Sequence, residues 1–411
     1  MTTSSGPTPA KMFDRTTPPH ILTLVLMTGL ATLNMNMVLP SLPSLADWFS
    51  EDYAVVQLAI SAYLAMTAVL QLFIGPMSDR FGRRPVVLAS FGLFLVATIG
   101  CLFAPSFETF LAFRLIQASV ASSIALSRAI VRDMVPPEEA ASMIGYVTMG
   151  MAVAPMIGPM IGGVLDQIYG WQAVFWMTFI FGAFVYAMLW LDLGETNDHR
   201  TADFGAQFRA MPELATSRRF WGYSGTAALA SGAFFAFLGG GPFVATQILG
   251  LSSASLGAYF GMIALGYMLG NFVSGRYARR IGMNRMMLLG TVFSTFGTAF
   301  ILLLFMLGFV SAPIFFSSML LVGFGNGMTL PSANAGMVSV RPHLAGSASG
   351  LGGAMMIGGG AALSALAGAL LHDDSGAWPL LYIMLASTFL AILCALDVAR
   401  TAKRKGELGI Q

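Results

Sequence analysis

The chain has 411 residues, of which 56% are hydrophobic and only 10% are charged, and its mean hydropathy is +0.75. Soluble globular proteins carry about 25% charged residues, so the composition excludes that class and predicts an integral membrane protein. The net charge of +2 says little until the charged residues are assigned to the two sides of the membrane. We expect no nucleic-acid partner. Cys101 and Cys394 lie in apolar runs without the spacing of a disulfide framework or metal site.

Twelve apolar runs of about 20 residues predict twelve transmembrane helices. Strand-like alternation is absent from these runs, which argues against barrel strands, so the predicted fold class is an all-α membrane protein. A polar segment precedes the first run, which we interpret as an uncleaved membrane span. The runs are 20–44, 53–76, 85–104, 106–131, 139–165, 171–192, 220–245, 252–275, 285–308, 311–337, 345–371 and 377–398.

The basic residues predict the orientation of the chain. Every lysine and arginine except Arg114 falls on the side of the membrane that carries both termini. Cytoplasmic loops are enriched in lysine and arginine, so we expect both termini in the cytoplasm of a bacterial-type inner (plasma) membrane. The opposite loops carry acidic residues: Asp47, Glu51, Asp52, Glu108, Asp166, Asp373 and Asp374.

Self-comparison indicates an internal duplication. Residues 61–84 align without gaps to 257–280, and eight of the 24 aligned residues are identical. The two segments have the same predicted orientation, so the repeat is parallel. We therefore predict two parallel-repeat six-helix bundles, residues 1–192 and 220–411, joined by a cytoplasmic linker at 193–219. Parallel halves of this kind are typical of secondary transporters that rock about a site at the membrane midplane.

The loop GPMSDRFGRRPVV, residues 75–87, joins the second and third runs. Its glycines permit close approach and a tight turn, its aspartate can cap a helix or pair with an arginine, and its arginines hold the cytoplasmic edge. The segment resembles the motif that marks the major facilitator superfamily, which implies the fold predicted above. The resemblance implies that a conformational-switch loop is formed by Gly75, Asp79, Arg80, Gly82, Arg83 and Arg84.

The fifth run, GYVTMGMAVAPMIGPMIGGVL at 145–165, has small residues every four positions and two prolines. Such a face allows close helix contact, and proline permits a bend. Its Pro-x-x-Gly-Pro-x-x-Gly-Gly pattern resembles the motif of drug:proton antiporters in the same superfamily. The alternative is that the pattern serves packing alone. The antiporter-motif residues are Gly150, Pro155, Gly158, Pro159, Gly162 and Gly163.

Arg114 lies inside the fourth run, roughly 12 Å from its start at 1.5 Å per residue. A charge at that depth is costly, and intramembrane arginines almost always face the interior of the bundle or a water-filled cavity. Arg114, Ala118, Ala121, Ala125 and Arg128 fall along one helix face, and we expect the small residues to leave room for a water-filled path. The alternative is a structural arginine bonded to carbonyl groups or to Gln117.

The sequence around Arg114 adds a third resemblance. FRLIQA followed by SRAIVRD resembles the fourth span of the bicyclomycin/chloramphenicol-resistance (Bcr/CflA-type) exporters. LPSLP at 39–43 in the first span and GWQAVFW at 170–176 at the start of the sixth span also resemble that group. This resemblance implies proton-coupled drug efflux, with the matching arginine implicated in proton coupling.

The chain departs from the related exporters in the first span, where they often carry an acid. Here Asn36 occupies that place, and the spans contain no deep carboxylate. Coupling could run through an edge acid such as Glu108, through a titratable group of the substrate, or not occur at all. The missing acid favours neutral or zwitterionic substrates over strongly cationic ones. The candidate residues for proton coupling or substrate contact are Arg114, Asn36, Tyr63, Gln117 and Glu108.

These observations predict an efflux transporter of small amphipathic compounds that exchanges them for protons by alternating access. The alternative is a proton-coupled or uncoupled transporter of one metabolite, such as an amino acid or organic anion. We expect no enzyme activity, because the four histidines lie at span edges or in loops without a catalytic motif. No nucleotide-binding motif occurs, and we expect no cofactor. The expected partners are substrate, protons and the lipid bilayer, and we expect a monomer.

Overall fold

The structure is a computed structural model that describes residues 12–135, 137–197, 212–341 and 344–404. Within these residues the chain is helical and contains no strand, so the all-α prediction is confirmed. Across the described ranges, twelve long helices follow one another: α1 Ile21–Phe49, α2 Tyr53–Phe81, α3 Arg83–Leu102, α4 Phe107–Met134, α5 Pro137–Tyr169, α6 Trp171–Asp192, α7 Arg218–Ile248, α8 Ser253–Ile281, α9 Met283–Met306, α10 Ala312–Ser339, α11 Ala345–Leu370 and α12 Trp378–Arg404.

Each helix coincides, to within several residues, with one of the predicted apolar runs. In the described residues, eleven helices are long and apolar enough to cross a membrane, and the remaining predicted run, 139–165, lies inside α5. The largest disagreements are at the C-terminal ends of α8 and α12, which continue six residues past the apolar runs, while α1, α2 and α5 continue four or five residues past theirs. Polar residues can continue a helix outside the hydrocarbon core, because water satisfies the side chains there while the backbone ladder continues.

The helix ends alternate between two ends of the molecule that differ in charge. The basic end carries the α2–α3 and α8–α9 turns with their arginines, and the described chain termini lie there. The acidic end carries the α1–α2, α3–α4 and α11–α12 turns with their aspartates and glutamates. Between the two ends the outer surface exposes large apolar side chains, such as Val96, Ile180 and Phe272. This apolar belt is typical of a lipid-facing surface.

The turns at the basic end correct the register of the internal repeat. Gly82 separates α2 from α3 with φ 99°, and Gly282 separates α8 from α9 with φ 89°, a conformation that glycine adopts most readily. These equivalent glycines are 200 residues apart, whereas the ungapped alignment used 196. That alignment paired Arg83, the first residue of α3, with Arg279, which lies near the end of α8 and before the turn at Gly282. The predicted register was wrong by about one helical turn. A shift of four residues rotates the apolar face by only about 40°, so the apolar pattern hardly distinguishes the two registers.

The N-terminal helices α1–α6 and the C-terminal helices α7–α12 pack together along two lines, α5 with α8 and α2 with α11. On the first line, a Cβ atom added at Gly163 would lie 2.2 Å from the carbonyl oxygen of Ser253, and one added at Gly257 would lie 2.1 Å from that of Pro159. Both contacts are close to the acidic end. Only glycine lets the two backbones approach this closely.

Hydrogen bonds also join the two sets of helices at the acidic end. The Tyr53 hydroxyl donates to the carbonyl oxygen of Gly239 over 2.7 Å, and the Gln57 side-chain amide donates to the backbone carbonyl of Ser364 over 2.8 Å and to its hydroxyl over 2.7 Å. The backbone N–H of Ala254 in α8 donates to the side-chain oxygen of Gln167 in α5 over 3.3 Å. We name the contact of Tyr53 and Gln57 with α7 and α11 the acidic-end latch.

The glycine contacts within the N-terminal helices make a stability prediction. A Cβ atom at Gly162 would lie 2.0 Å from the carbonyl oxygen of Met37 in α1, and backbone atoms cannot rotate away. We expect Gly162→Ala to lower the free energy of unfolding by about 1–3 kcal/mol, as overpacking does. The measurement is the thermal unfolding midpoint in detergent. Gly358→Ala is the matched control, because its Cβ would meet Ala68 at an ordinary 3.7 Å; equal midpoints for both variants would contradict the packing account.

Candidate functional site

Arg114 is the eighth residue of α4 and has no solvent-exposed surface. Its guanidinium donates four hydrogen bonds to neutral oxygens. Nη1 donates to Asn34 Oδ1 over 3.3 Å and to Gln117 Oε1, Nη2 donates to the Asn34 carbonyl over 3.4 Å, and Nε donates to the Ala59 carbonyl over 3.4 Å. The guanidinium therefore links α1, α2 and α4 through a single side chain.

Aromatic rings and a second layer of hydrogen bonds complete this cluster. The Arg114 guanidinium carbon lies 4.5 Å from the centroid of the Tyr63 ring and 5.9 Å from that of Phe175. The Tyr63 hydroxyl accepts a hydrogen bond from Asn34 Nδ2 over 3.2 Å. The Gln117 amide donates to the hydroxyl of Thr98 in α3 over 2.8 Å. A cation over an aromatic face gains about 2 kcal/mol when both are desolvated.

None of these contacts provides a negative charge for Arg114. The contacts are the ones expected for the alternative in which the arginine is bonded to carbonyl groups and Gln117. Along the predicted path, Ala118 and Ala121 are buried where α4 tightens into a 3-10 turn, whereas Ala125 is half-buried and Arg128 is exposed. At Ala118 and Ala121 the small side chains let neighbouring helices pack closely. A buried cation held only by neutral groups is expensive, which is a reason to expect that it serves more than packing.

Two of the predicted site residues lie apart from the cluster. Asn36 donates to the Thr32 carbonyl over 2.7 Å and faces α5, where a Cβ added at Gly158 would lie 3.1 Å from its own Cβ. Glu108 is exposed in the first turn of α4, at the acidic end. The cluster thus contains Arg114, Tyr63 and Gln117 but neither Asn36 nor Glu108.

The sequence offers Asn34 as one of several polar candidates to line the cavity, but Asn34 is not among the residues selected above for proton coupling or substrate contact. Two residues apart on a helix correspond to a rotation of about 200°, so Asn34 and Asn36 lie on nearly opposite faces of α1. The signal that could have identified Asn34 is the direction in which each side chain points around the helix axis. Asn34 lies on the face of α1 toward α2 and α4, whereas Asn36 lies on the face toward α5. The resemblance to related exporters directed attention to position 36 instead.

The loop at 75–84, which is predicted to act as a conformational switch, forms an ion-pair network within the N-terminal helices. The buried Arg83 guanidinium contacts Asp79 Oδ1 at 2.6 Å and Asp133 Oδ2 at 2.9 Å, and it donates to the Ser78 hydroxyl over 2.5 Å. The Arg83 backbone N–H donates to Glu195 Oε1 over 2.8 Å. Asp133 and Glu195, which the sequence reasoning did not select, bring the ends of α4 and α6 to this turn. The loop therefore ties three chain segments together at the basic end.

The other loop residues contact their neighbours less extensively. Arg84 donates to the Leu193 carbonyl over 2.8 Å, and its guanidinium lies 5.4 Å from the Trp190 ring. The exposed Arg80 lies over the Phe81 ring at 5.4 Å, and the Gly75 carbonyl accepts a hydrogen bond from Ser78 over 2.8 Å. Gly82 supplies the left-handed turn already described.

The antiporter-motif residues lie in α5. Gly158 and Gly162 face α1, and Gly163 and the Pro159 carbonyl face α8, as the contacts above show. Gly150 and Pro155 also belong to α5, but their side-chain positions lie outside the described part of the structure. The four described residues of the motif bring α5 against both α1 and α8. In the described residues, no group of His, Cys, Asp and Glu is arranged to hold a metal ion.

Comparisons with known proteins agree with this architecture. The sequence profile of the Major Facilitator Superfamily matches residues 24–365. An uncharacterised transporter of that type, YdgK of Bacillus subtilis, is 31% identical over 92% of this chain and 94% of its own. The chloramphenicol resistance protein of Pseudomonas aeruginosa is 28% identical over 92% of this chain and 90% of its own.

A solved structure has the same fold. It is a bacterial homolog of the human lysosomal transporter Spinster in an inward-facing, unoccupied conformation, with a TM-score of 0.71 at 18% identity over 93% of this chain and 96% of that one. The fold, the sequence match and the identity together define the class: the chain belongs to the major facilitator superfamily, whose members carry solutes across membranes. It is a multi-pass membrane transporter.

The cluster around Arg114 makes a prediction about Tyr63. Tyr63→Phe keeps the ring over the guanidinium but leaves the Asn34 amide without its acceptor, and we expect a loss of about 1–3 kcal/mol. Tyr63→Leu also removes the ring, and we expect a further loss of about 2 kcal/mol. The measurement is the thermal unfolding midpoint of the purified variants. Equal midpoints for the two variants would show that the ring does not stabilise the cation.

Proposed function

We propose that this transporter exports small amphipathic compounds in exchange for protons, by alternating access between its two sets of helices. The observation that carries the proposal is the arrangement at the acidic end. Two sets of contacts close this end: the glycine contacts of α5 with α8, and the acidic-end latch of α2 with α7 and α11. Both sets are non-covalent, so the helices can separate there without breaking a covalent bond. Short-range contacts of this kind have two discrete arrangements, closed and separated, rather than a continuous range.

The orientation and the moving bodies belong to the same proposal. The positive-inside rule places the basic end and both termini in the cytoplasm of a bacterial-type inner membrane, so the closed acidic end faces outward. The moving bodies are residues 1–192 and 220–411, with 193–219 as the linker, of which 198–211 lie outside the described residues. The Arg83 network and the Arg114 cluster join the helices of the first body to one another. They favour movement of that body as a unit.

The electrostatics support a neutral or zwitterionic substrate. A strongly cationic compound needs a buried anion to offset its desolvation, and the contacts around Arg114 include none. The similarity to the chloramphenicol resistance protein of Pseudomonas aeruginosa supports export of small amphipathic antibiotics as the starting hypothesis. Transport of one metabolite is the competing hypothesis, and the same assay separates the two.

A resistance screen tests the proposed substrate class. The full chain is produced in an efflux-deficient bacterial host, and growth is compared across neutral, zwitterionic and quaternary-ammonium compounds with and without a proton uncoupler. We expect tolerance of several neutral or zwitterionic compounds to rise several-fold, and the uncoupler to abolish the rise. Unchanged tolerance across the whole panel would contradict drug export and favour a single metabolite.

The same assay tests Arg114. Arg114→Lys keeps the charge, but an ammonium is a compact point charge and cannot reproduce the spread of the guanidinium contacts to Asn34 and Ala59. We expect roughly a tenfold or greater loss of export, corresponding to at least one lost charge-assisted hydrogen bond. Arg132→Lys is the matched control, because Arg132 is an exposed arginine on the same helix. Full export by Arg114→Lys would show that the cluster is not part of the transport mechanism.

The acidic-end latch makes a separate prediction for alternating access. A Cβ atom at Gly368 would lie 2.6 Å from Gln57 Oε1, so Gly368→Ala displaces the side chain that bonds Ser364. We expect the acidic end to stay open, and transport to fall several-fold. The readout is alkylation, by a membrane-impermeant reagent, of a cysteine that replaces Ser61, one turn from Gln57, in a chain without Cys101 and Cys394. We expect this cysteine to react faster in the Gly368→Ala variant than in the chain that keeps Gly368.

Gly358→Ala, on the same pair of helices, is the control for the latch, because it meets only an ordinary contact with Ala68. It should leave both alkylation and transport unchanged. If Gly368→Ala alkylates no faster than this control, the latch does not hold the acidic end closed.

A further inference from the structure

Two arginines at the basic end lie over the same tryptophan ring. The guanidinium carbon of Arg15, which precedes α1, is 5.5 Å from the centroid of the Trp190 ring. The guanidinium carbon of Arg84, in the first turn of α3, is 5.4 Å from that centroid. Trp190 lies in the last turn of α6 and is 47% exposed. Three segments of the chain therefore meet at one aromatic side chain on the surface of the molecule.

Tertiary contacts fix the segment that carries Arg15. The buried carboxylate of Asp192, at the end of α6, accepts hydrogen bonds from the backbone N–H groups of Phe13 and His20, both over 2.8 Å. A Cβ atom added at Gly194 would lie 2.3 Å from the carbonyl oxygen of Arg15. The backbone on both sides of Arg15 is thus held against the end of α6, and the arginine reaches the tryptophan from a fixed position.

The two guanidinium groups keep most of their hydrogen-bonding capacity. Each guanidinium has five N–H donors. Arg84 donates to the backbone carbonyls of Leu193 over 2.8 Å and of Trp190 over 3.4 Å. Arg15 is exposed and makes no hydrogen bond in the described part of the structure. Most of the donors at this site are therefore left for water or for a ligand.

The nearby carboxylates do not neutralise the two arginines. Asp79 and Asp133 contact Arg83 instead. Within the described ranges, neither Arg15 nor Arg84 forms an ion pair. The remaining acids close by in these segments accept hydrogen bonds from backbone N–H or hydroxyl groups, and they are Asp14, Asp192 and Glu195. The site therefore presents two positive charges without a paired anion.

The tryptophan connects these charges to the lipid-facing surface. Its ring packs against that of Tyr186, one turn deeper along α6, with 6.4 Å between the centroids. On the same helix, the exposed side chains of Ile180, Phe184 and Leu191 belong to the apolar belt. Tryptophan and tyrosine favour the boundary between hydrocarbon and headgroups. A ligand that has both a negative charge and acyl chains can meet the arginines and the apolar surface at once, which a free anion cannot.

We propose that Arg15, Arg84 and Trp190 form a binding site for the phosphate headgroup of an anionic phospholipid, in the leaflet at the basic end. The phosphate oxygens accept hydrogen bonds from both guanidinium groups, whose planar donors match phosphate geometry. An acyl chain lies along the rings of Trp190 and Tyr186. In a zwitterionic headgroup the ammonium group opposes this attraction, so the site selects lipids with a net negative charge. The inference does not depend on the proposed export of drugs or on the direction of transport.

Native mass spectrometry measures the site directly. The full chain in a neutral detergent is titrated with phosphatidylglycerol, and separately with phosphatidylcholine that has the same acyl chains. The dissociation constant of the first bound lipid is obtained for each. We expect the unmodified chain to bind phosphatidylglycerol several-fold more tightly. Inorganic phosphate at the same concentration should not displace the lipid, because it makes no contact with the apolar surface.

Variants decide whether the arginines are responsible. Arg15→Gln and Arg84→Gln should each reduce the preference for phosphatidylglycerol about fivefold, which corresponds to about 1 kcal/mol for one arginine near an anionic surface. Arg15→Gln keeps the test valid if Arg84→Gln fails to fold, because the Arg15 side chain is exposed. Arg276→Gln is the matched control, since it removes the same charge from an exposed position on α8 at the same end. It should keep the preference of the unmodified chain.

The inference is overturned if the unmodified chain binds the two lipids equally, or if Arg15→Gln keeps the full preference. A loss in Arg276→Gln as large as that in Arg15→Gln would also overturn it, because the effect would then follow net charge alone. Displacement of the lipid by inorganic phosphate would indicate a site for a free anion and would overturn the assignment to a lipid.

Discussion

Close contact of helix backbones at glycine is the constraint on which the rest of the structure depends. Inside a bilayer, helices gain little from burying apolar side chains against each other, because lipid is equally apolar, and van der Waals contact at short range takes over. Gly162 places α5 on the backbone of α1, and Gly163 and Gly257 place α5 and α8 on each other. One helix thus serves both the packing of the N-terminal helices and the closure against the C-terminal helices.

The Arg114 cluster has a complementary role within the N-terminal helices. Its hydrogen bonds and ring contacts reach Asn34 in α1, Tyr63 in α2, Gln117 in α4 and Phe175 in α6. Several helices together supply the contacts of this one charge, and independent movement of any of them would break some of those contacts. The cluster therefore favours movement of these helices as one body. In the proposed alternating access, the glycine contact at the acidic end separates without disturbing this cluster.

The sequence was sufficient for the helices and the class of protein, because apolar length and the placement of arginine report directly on the bilayer. It also identified Arg114 and its partner Gln117, which lie one turn apart on the same helix. It was insufficient for contacts between helices, which depend on helix rotation: Asn34 rather than Asn36 meets the arginine. Arg15 looked like an ordinary arginine of the basic side, since only tertiary packing shows that it shares the Trp190 ring with Arg84.

The most direct test of the central claim is to fix the acidic end closed. Cysteines replace Gln57 in α2 and Ser364 in α11, whose side chains are hydrogen-bonded across the two bodies, in a chain without Cys101 and Cys394. A short bifunctional thiol reagent that reducing agent can cleave then joins them in membrane vesicles. The account predicts that proton-driven transport stops when the cross-link forms and returns after reduction. Undiminished transport by the fully cross-linked protein would contradict it.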